Sequence, residues 1–100
     1  MTYQLVLQWQ LHEIDYEKLI EIEDLLIDHL PEDEIDGHDI GAGQANTFVL
    51  TNNPTNSWET IRRILEGDDA ATFVRVAYRA LTQDLYVIVW PRTLDHFTVV

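Results

Sequence analysis

The sequence predicts an α+β domain, a ferredoxin-like plait of order β-α-β-β-α-β-β with an antiparallel sheet and two helices on one face. Three observations carry that expectation. A period-two run opens the chain, a helical period follows it at once, and a glycine-centred hairpin then separates the first helix from a second. One hundred residues suffice for a single domain, residues 1–100, that buries about 60–65% of its unfolded surface.

In YQLVLQWQL, residues 3–11, Tyr3, Leu5, Leu7, Trp9 and Leu11 share one face while Gln4, Gln8 and Gln10 share the other, the pattern of a half-buried strand. From Asp15 the spacing becomes helical. Tyr16, Leu19, Ile20, Leu26, Ile27 and Leu30 form the apolar face, and Glu17, Glu21, Asp24 and Asp28 form an acidic stripe opposite. Asp15 is the expected N-cap, Ile14 and Leu19 can staple the first turn, and Pro31 follows the end. A second strand over 34–40 passes through a glycine-rich turn, Gly41–Gln44, into a third over 45–52. Asn53 caps a second helix that starts at Pro54, carries Trp58, Ile61, Ile64 and Leu65, and stops at Gly67. Two further strands are expected over 71–81 and 85–90, and residues 91–100 form a tail or a last edge strand. In this topology the His12–Asp15 loop, the hairpin turn and the Gly67–Ala70 loop share one end of the sheet.

Charge is distributed unevenly. Between Glu13 and Asp39 twelve acids face one base, Lys18, so nearly all of the net charge of −12 sits in about a quarter of the chain. That segment cannot hold a nucleic-acid backbone, which requires cations, but it suits a basic protein surface. The absence of cysteine excludes disulfides, thiolate metal sites and cysteine nucleophiles. No apolar run approaches the ~20 residues of a membrane span, and MTYQLVLQWQ lacks the basic start of a signal peptide, so a cytoplasmic protein is expected.

The stretch DGHDIGAGQAN, residues 36–46, concentrates acids, a histidine and three glycines. An EF-hand reading of EDEIDG fails because the twelfth position, which must be a bidentate glutamate, is Gly43. A dinucleotide fingerprint fails because Asn46 stands at the third glycine position and a strand follows. The glycines are instead expected to supply positive φ for a tight turn. His12, His38, Asp39, Asp68 and Asp69 could converge at the shared end as metal or small-ligand groups, although no HxH or HExxH pair fixes two of them on one element. The plainer account is that the acids guard an edge strand and that His38 bonds a neighbouring carboxylate.

Catalysis has few candidates. The single serine, Ser57, stands near a helix start, where a hydroxyl commonly bonds local backbone, and His29 suits the C-terminal end of the first helix. The open sheet face lacks the exposed aromatic and basic display of an RNA binder. LYVIVW, residues 85–90, is apolar on both sides and is covered either by the tail or by a second copy; the homodimer is the favoured alternative here.

The run DGHDIGAGQANTFVLTNNP, the acidic helix before it and the YVIVWP ending resemble a group of short bacterial proteins sharing a GHDxGxGxxNxF pattern. That resemblance covers most of the chain and implies a bacterial, cytoplasmic protein, with no activity to transfer. In charge and size the chain also resembles acidic immunity proteins, which occupy the basic active site of a toxin. The expectation is a non-catalytic, cofactor-free binding module in which Glu17, Glu21, Asp24, Asp28, Asp36 and Asp39 engage a basic protein. The alternative is a dimeric small-ligand or metal-binding domain built around His38 and Asp39.

Overall fold

The computed structural model describes residues 1–99. Its strands are β1 (Tyr3–Gln10), β2 (Glu34–Gly41), β3 (Gln44–Thr51), β4 (Arg75–Ala80) and β5 (Val87–Trp90). Its helices are α1 (Tyr16–His29), α2 (Pro54–Ile64) and α3 (Asp69–Phe73), with a short 3-10 turn over Leu11–Glu13. Together the strands form a five-stranded antiparallel sheet in the order β2-β3-β1-β4-β5.

Burial follows the alternation of the strands. Leu5, Leu7 and Trp9 of β1, Ala45 and Val49 of β3 and Val76 of β4 point to one face, where they meet Leu19, Ile22 and Leu26 of α1 and Trp58 and Ile61 of α2. Within that core the Trp9 indole N–H donates to the Ala70 carbonyl at 2.9 Å, anchoring the start of α3 against the end of β1. Local sequence sets the helix starts. The Asp15 carboxylate accepts from the Lys18 N–H at 2.8 Å, the Asn53 side chain accepts from the Asn56 N–H at 3.1 Å, and Pro54 occupies the first turn, where its missing N–H costs nothing.

The hairpin between β2 and β3 closes on Gly41 and Gln44, with Ala42 at φ 51° and Gly43 at φ 80° between them. Two consecutive positive φ angles match the right-handed twist of the strands, as in a type I′ turn. Gly43 supplies one of them as expected, whereas the other falls on Ala42 rather than on Gly41. The second irregularity is a register shift between Ile35 and His38, where Gly37 takes φ 94° and lets the edge strand bulge.

Several boundaries differ from the sequence reading. β1 ends at Gln10 because the Gln10 N–H turns to the Glu13 carboxylate at 2.6 Å, opening the 3-10 turn and leaving Leu11 exposed. The strand expected over 71–81 begins only at Arg75. Before it, the Asp68 carboxylate accepts from the Ala70 N–H at 2.9 Å and starts α3, so the described residues hold three α-helices rather than two. The last strand begins at Val87, and Leu85 is exposed.

The 91–100 segment is no edge strand over its described residues. It crosses the face of the sheet opposite the helices: Gln8 Nε2 donates to the Thr98 carbonyl at 2.8 Å, Gln44 Nε2 to the same oxygen at 3.2 Å, and the Phe97 ring lies 5.2 Å from that of Tyr86. Tyr86 in turn reaches Gln4 Oε1 at 3.3 Å, a second link to β1. Val6, Gln8, Asn46 and Ala77, all on that face, are buried. The tail, one of the two covers expected for residues 85–90, reaches Tyr86, while Leu85 and Val87 remain exposed. Val100 lies outside the described residues.

Candidate functional site

The shared end of the sheet forms as expected: the Leu11 N–H donates to the Gly43 carbonyl at 3.0 Å, and Lys18 Nζ meets Asp68 Oδ2 at 2.6 Å. The five residues offered as metal or ligand groups do not gather there. His12 is exposed in the 3-10 turn, Asp69 is exposed in the first turn of α3, and Asp68 is held by Lys18 and by its own helix start. His38 and Asp39 are consecutive in β2, so their side chains leave opposite faces of the sheet. Among the described residues no three His, Asp or Glu side chains stand close enough to share a metal ion. The Lys18 contact holds the Asp68 carboxyl below its usual range, with the Ala70 N–H adding to the effect, while Lys18 is correspondingly raised.

His38 turns toward the helix layer. Its Nδ1 bonds Glu23 Oε1, and the Tyr16 ring stands edge-on to the imidazole at 5.7 Å. A neighbouring carboxylate was expected for His38, and Glu23 of α1 supplies it. Glu23 belongs to the row Tyr16, Ile20, Glu23 and Ile27, spaced i, i+4, i+7 and i+11, which borders β2. The helical period held this signal, although Glu23 is one acid among many.

The acidic stripe is where the period placed it. Glu17, Glu21, Asp24 and Asp28 are exposed on α1, and Asp36 and Asp39 are exposed on β2, the outer strand of the sheet. Lys18 is the only cation on α1, and it stands 3.5 Å from Glu21 while holding Asp68. Apolar groups lie beside the stripe: Tyr16 is 59% exposed, Ile27 57%, Leu11 43% and Ile40 42%. Leu11, Tyr16 and Ile40 rim a depression of about 270 Å³ that is closed below by Ile14, Leu19 and Ala45. Tyr16 and Ile27 were expected in the core, but α1 turns Leu19, Ile22 and Leu26 inward instead.

Ser57 also departs from expectation. Its hydroxyl donates to Asp33 Oδ2 at 2.6 Å and lies 2.8 Å from Thr51 Oγ1, joining the α1–β2 loop to the start of α2 through side chains rather than bonding local backbone. His29 Nδ1 serves the Leu25 carbonyl at 2.8 Å, in keeping with a helix C-terminal role.

At the opposite edge of the sheet lies a cleft of about 440 Å³ between α2 and β5, lined by Trp58, Arg62, Arg63, Leu65 and Trp90. The Arg62 guanidinium carbon sits 4.7 Å from the Trp90 ring centroid, and the Trp58 ring is 6.1 Å from that of Trp90. Sequence reasoning missed it. Trp58 was assigned to the core and Trp90 to a strand, and only the docking of α2 over β5 brings them together.

No protein-family profile, curated protein or solved structure matches the chain.

Proposed function

We propose that this protein is a non-catalytic binding module whose α1/β2 face engages a basic protein partner, as an inhibitor or immunity protein engages a toxin. One observation carries the reading: an exposed apolar patch, Leu11, Tyr16 and Ile40, lies beside the acids of α1 and β2 on an open sheet edge. Stable protein interfaces combine such an apolar centre, which supplies affinity by burial, with a charged rim that selects and steers the partner. Solvation alone would explain the acids but not the exposed tyrosine and isoleucines among them. The resemblance in size and charge to immunity proteins points the same way, and the bacterial, cytoplasmic setting belongs to this proposal. The fold reading belongs here too. β1 between β3 and β4, with α1 and α2 packed on one face, supports a ferredoxin-like plait extended by β5. Among the described residues no helix is long and apolar enough to cross a membrane.

The test compares capture by the parent protein with capture by the E21K/D24K/D28K variant, followed by binding isotherms of the purified captured protein at several salt concentrations. The expected partner is basic, is lost with the charge reversal, and binds more weakly as salt rises. Tyr16→Ala with Ile40→Ala should weaken binding by roughly tenfold or more with little change in the salt slope. Capture that survives the charge reversal would refute the proposal.

A further inference from the structure

The cleft between α2 and β5 combines aromatic walls with hydrogen-bond donors that the protein itself leaves without acceptors. Among the described residues the Trp58 indole N–H meets no protein acceptor, unlike that of Trp9, which donates to Ala70, and it reaches solvent rather than being sealed in the core. The Trp90 N–H and the guanidinium groups of Arg62 and Arg63 likewise have no protein acceptor, and neither arginine is ion-paired among the described residues. This contrasts with Arg75, which pairs with Glu13, and Arg79, which bonds Gln4 and the Leu81 and Gln83 carbonyls. The donors of the cleft are open to solvent and so are available to a ligand that brings acceptors.

We infer that this cleft is a second binding site, specific for a small planar aromatic monoanion such as an aromatic carboxylate. The ring packs against Trp90 beside the nearly buried Trp58, and the carboxylate accepts from the fork of Arg62 or Arg63 and from an indole N–H. The volume of about 440 Å³ falls in the range of small-molecule sites. Arg62 already lies over Trp90, so its guanidinium is held near the ring without a carboxylate to hold it, which lowers the ordering cost of recognition. Glu59 and Glu66 also line the cleft, one helical turn to either side of the arginines. They offset the two positive charges, so the site favours one negative charge and disfavours a polyphosphate.

The experiment uses the full chain and 2-naphthoate as probe, with 2-naphthalenemethanol as the neutral counterpart and pyrophosphate as the polyanion. Binding is followed by calorimetry and by tryptophan fluorescence, where Trp58 and Trp90 respond and buried Trp9 reports on the fold. The expected result is saturable binding of 2-naphthoate with a Kd of about 1 mM or tighter. The alcohol should bind at least about tenfold more weakly, as should Arg62→Gln and Arg63→Gln each. Trp90→Phe, which keeps a ring at the site, should retain binding within several-fold while losing part of the quench. Equal affinity for acid and alcohol, full binding by the double arginine variant, or displacement of 2-naphthoate by pyrophosphate would each overturn the inference.

Discussion

Two buried threonines on β3 should respond in opposite ways to the same substitution. Thr47 is fully buried, and its hydroxyl is the one buried side-chain oxygen among the described residues that lacks a hydrogen-bond partner. It lies opposite Leu7 on one side and His38 on the other. Thr51, also buried, accepts from the Asn53 N–H at 3.1 Å and lies 2.8 Å from the Ser57 hydroxyl. A buried hydroxyl without a partner costs about 1–3 kcal/mol, whereas each satisfied hydrogen bond contributes about 0.5–1.5 kcal/mol. Thr47→Val replaces the orphan oxygen with a methyl of similar size and should stabilise the protein by about 1–2 kcal/mol. Thr51→Val removes two hydrogen bonds and should destabilise it by about 1–2 kcal/mol.

Both changes raise β-propensity alike, so the difference between the variants, about 2–4 kcal/mol, isolates the hydrogen bonding. Urea unfolding measures it through the midpoint at constant slope. In thermal melts each kcal/mol should appear as a Tm change of about 4–8 °C. The reasoning fails if Thr47→Val destabilises, or if the two variants differ by less than about 1 kcal/mol.

Two further predictions concern loop and tail. Asp68→Asn keeps an N-cap for α3 but discharges the partner of Lys18. Because the Asp68 carboxyl is lowered from 3.8 and the Lys18 amine raised from 10.5, the stabilisation is complete between those values. It is lost as pH falls through the folded carboxyl value below 3.8, and as pH rises through the folded amine value above 10.5. The stability gap between parent and variant should therefore be flat from roughly pH 5 to 9 and close at both extremes; a gap that widens in acid would refute the assignment. Phe97→Ala removes the ring against Tyr86 and should cost about 1–2 kcal/mol in urea unfolding, less than a core phenylalanine because Phe97 is half-buried. Unchanged stability would mean that the tail contributes no packing.

What was legible in the sequence follows the range of the forces involved. Alternation in YQLVLQWQ, the helical period after Asp15 and the caps Asp15 and Asn53 are local, and each produced the expected element. Helix α3 was not legible, because DAATF is short and runs directly into the alternating VRVAYRA, with no glycine or proline between them to mark a boundary. What stops the strand is the Asp68 cap, together with a hydrogen bond from Trp9, sixty-one residues away. The tail was ambiguous for the same reason: its anchor is the Gln8 amide, ninety residues distant, and nothing in HFTVV specifies that partner. At the candidate sites the acidic stripe was visible as a helical period. The apolar residues beside it were misassigned to the core, since a helix of this length carries more apolar residues than its buried face accommodates. The proposed pairing of His38 with Asp39 failed on strand geometry alone, a check the sequence already permitted once the segment was assigned as a strand.

The arrangement of charge bears on how the two proposed surfaces relate. With five arginines available, the acidic stripe could have been neutralised within the molecule. Instead Arg75 pairs with Glu13, Arg79 holds Gln4 and the turn after β4, and Arg62 lies on Trp90. Lys18 is engaged at the shared end with Asp68 and Glu21. Like charges along α1 oppose the helix by a few tenths of a kcal/mol per pair, and the fold tolerates this because α1 is held by its buried face and its Asp15 cap. Five strands at about 4.8 Å spacing separate the outer edges of the sheet by about 19 Å, more than twice the screening length of about 8 Å at physiological salt. That separation screens the β2 acids Asp36 and Asp39 from the arginines of the cleft, whereas the stripe lies on α1, which packs against α2. A basic protein at α1/β2 and a small anion at α2/β5 would thus be read by oppositely charged surfaces on adjacent helices.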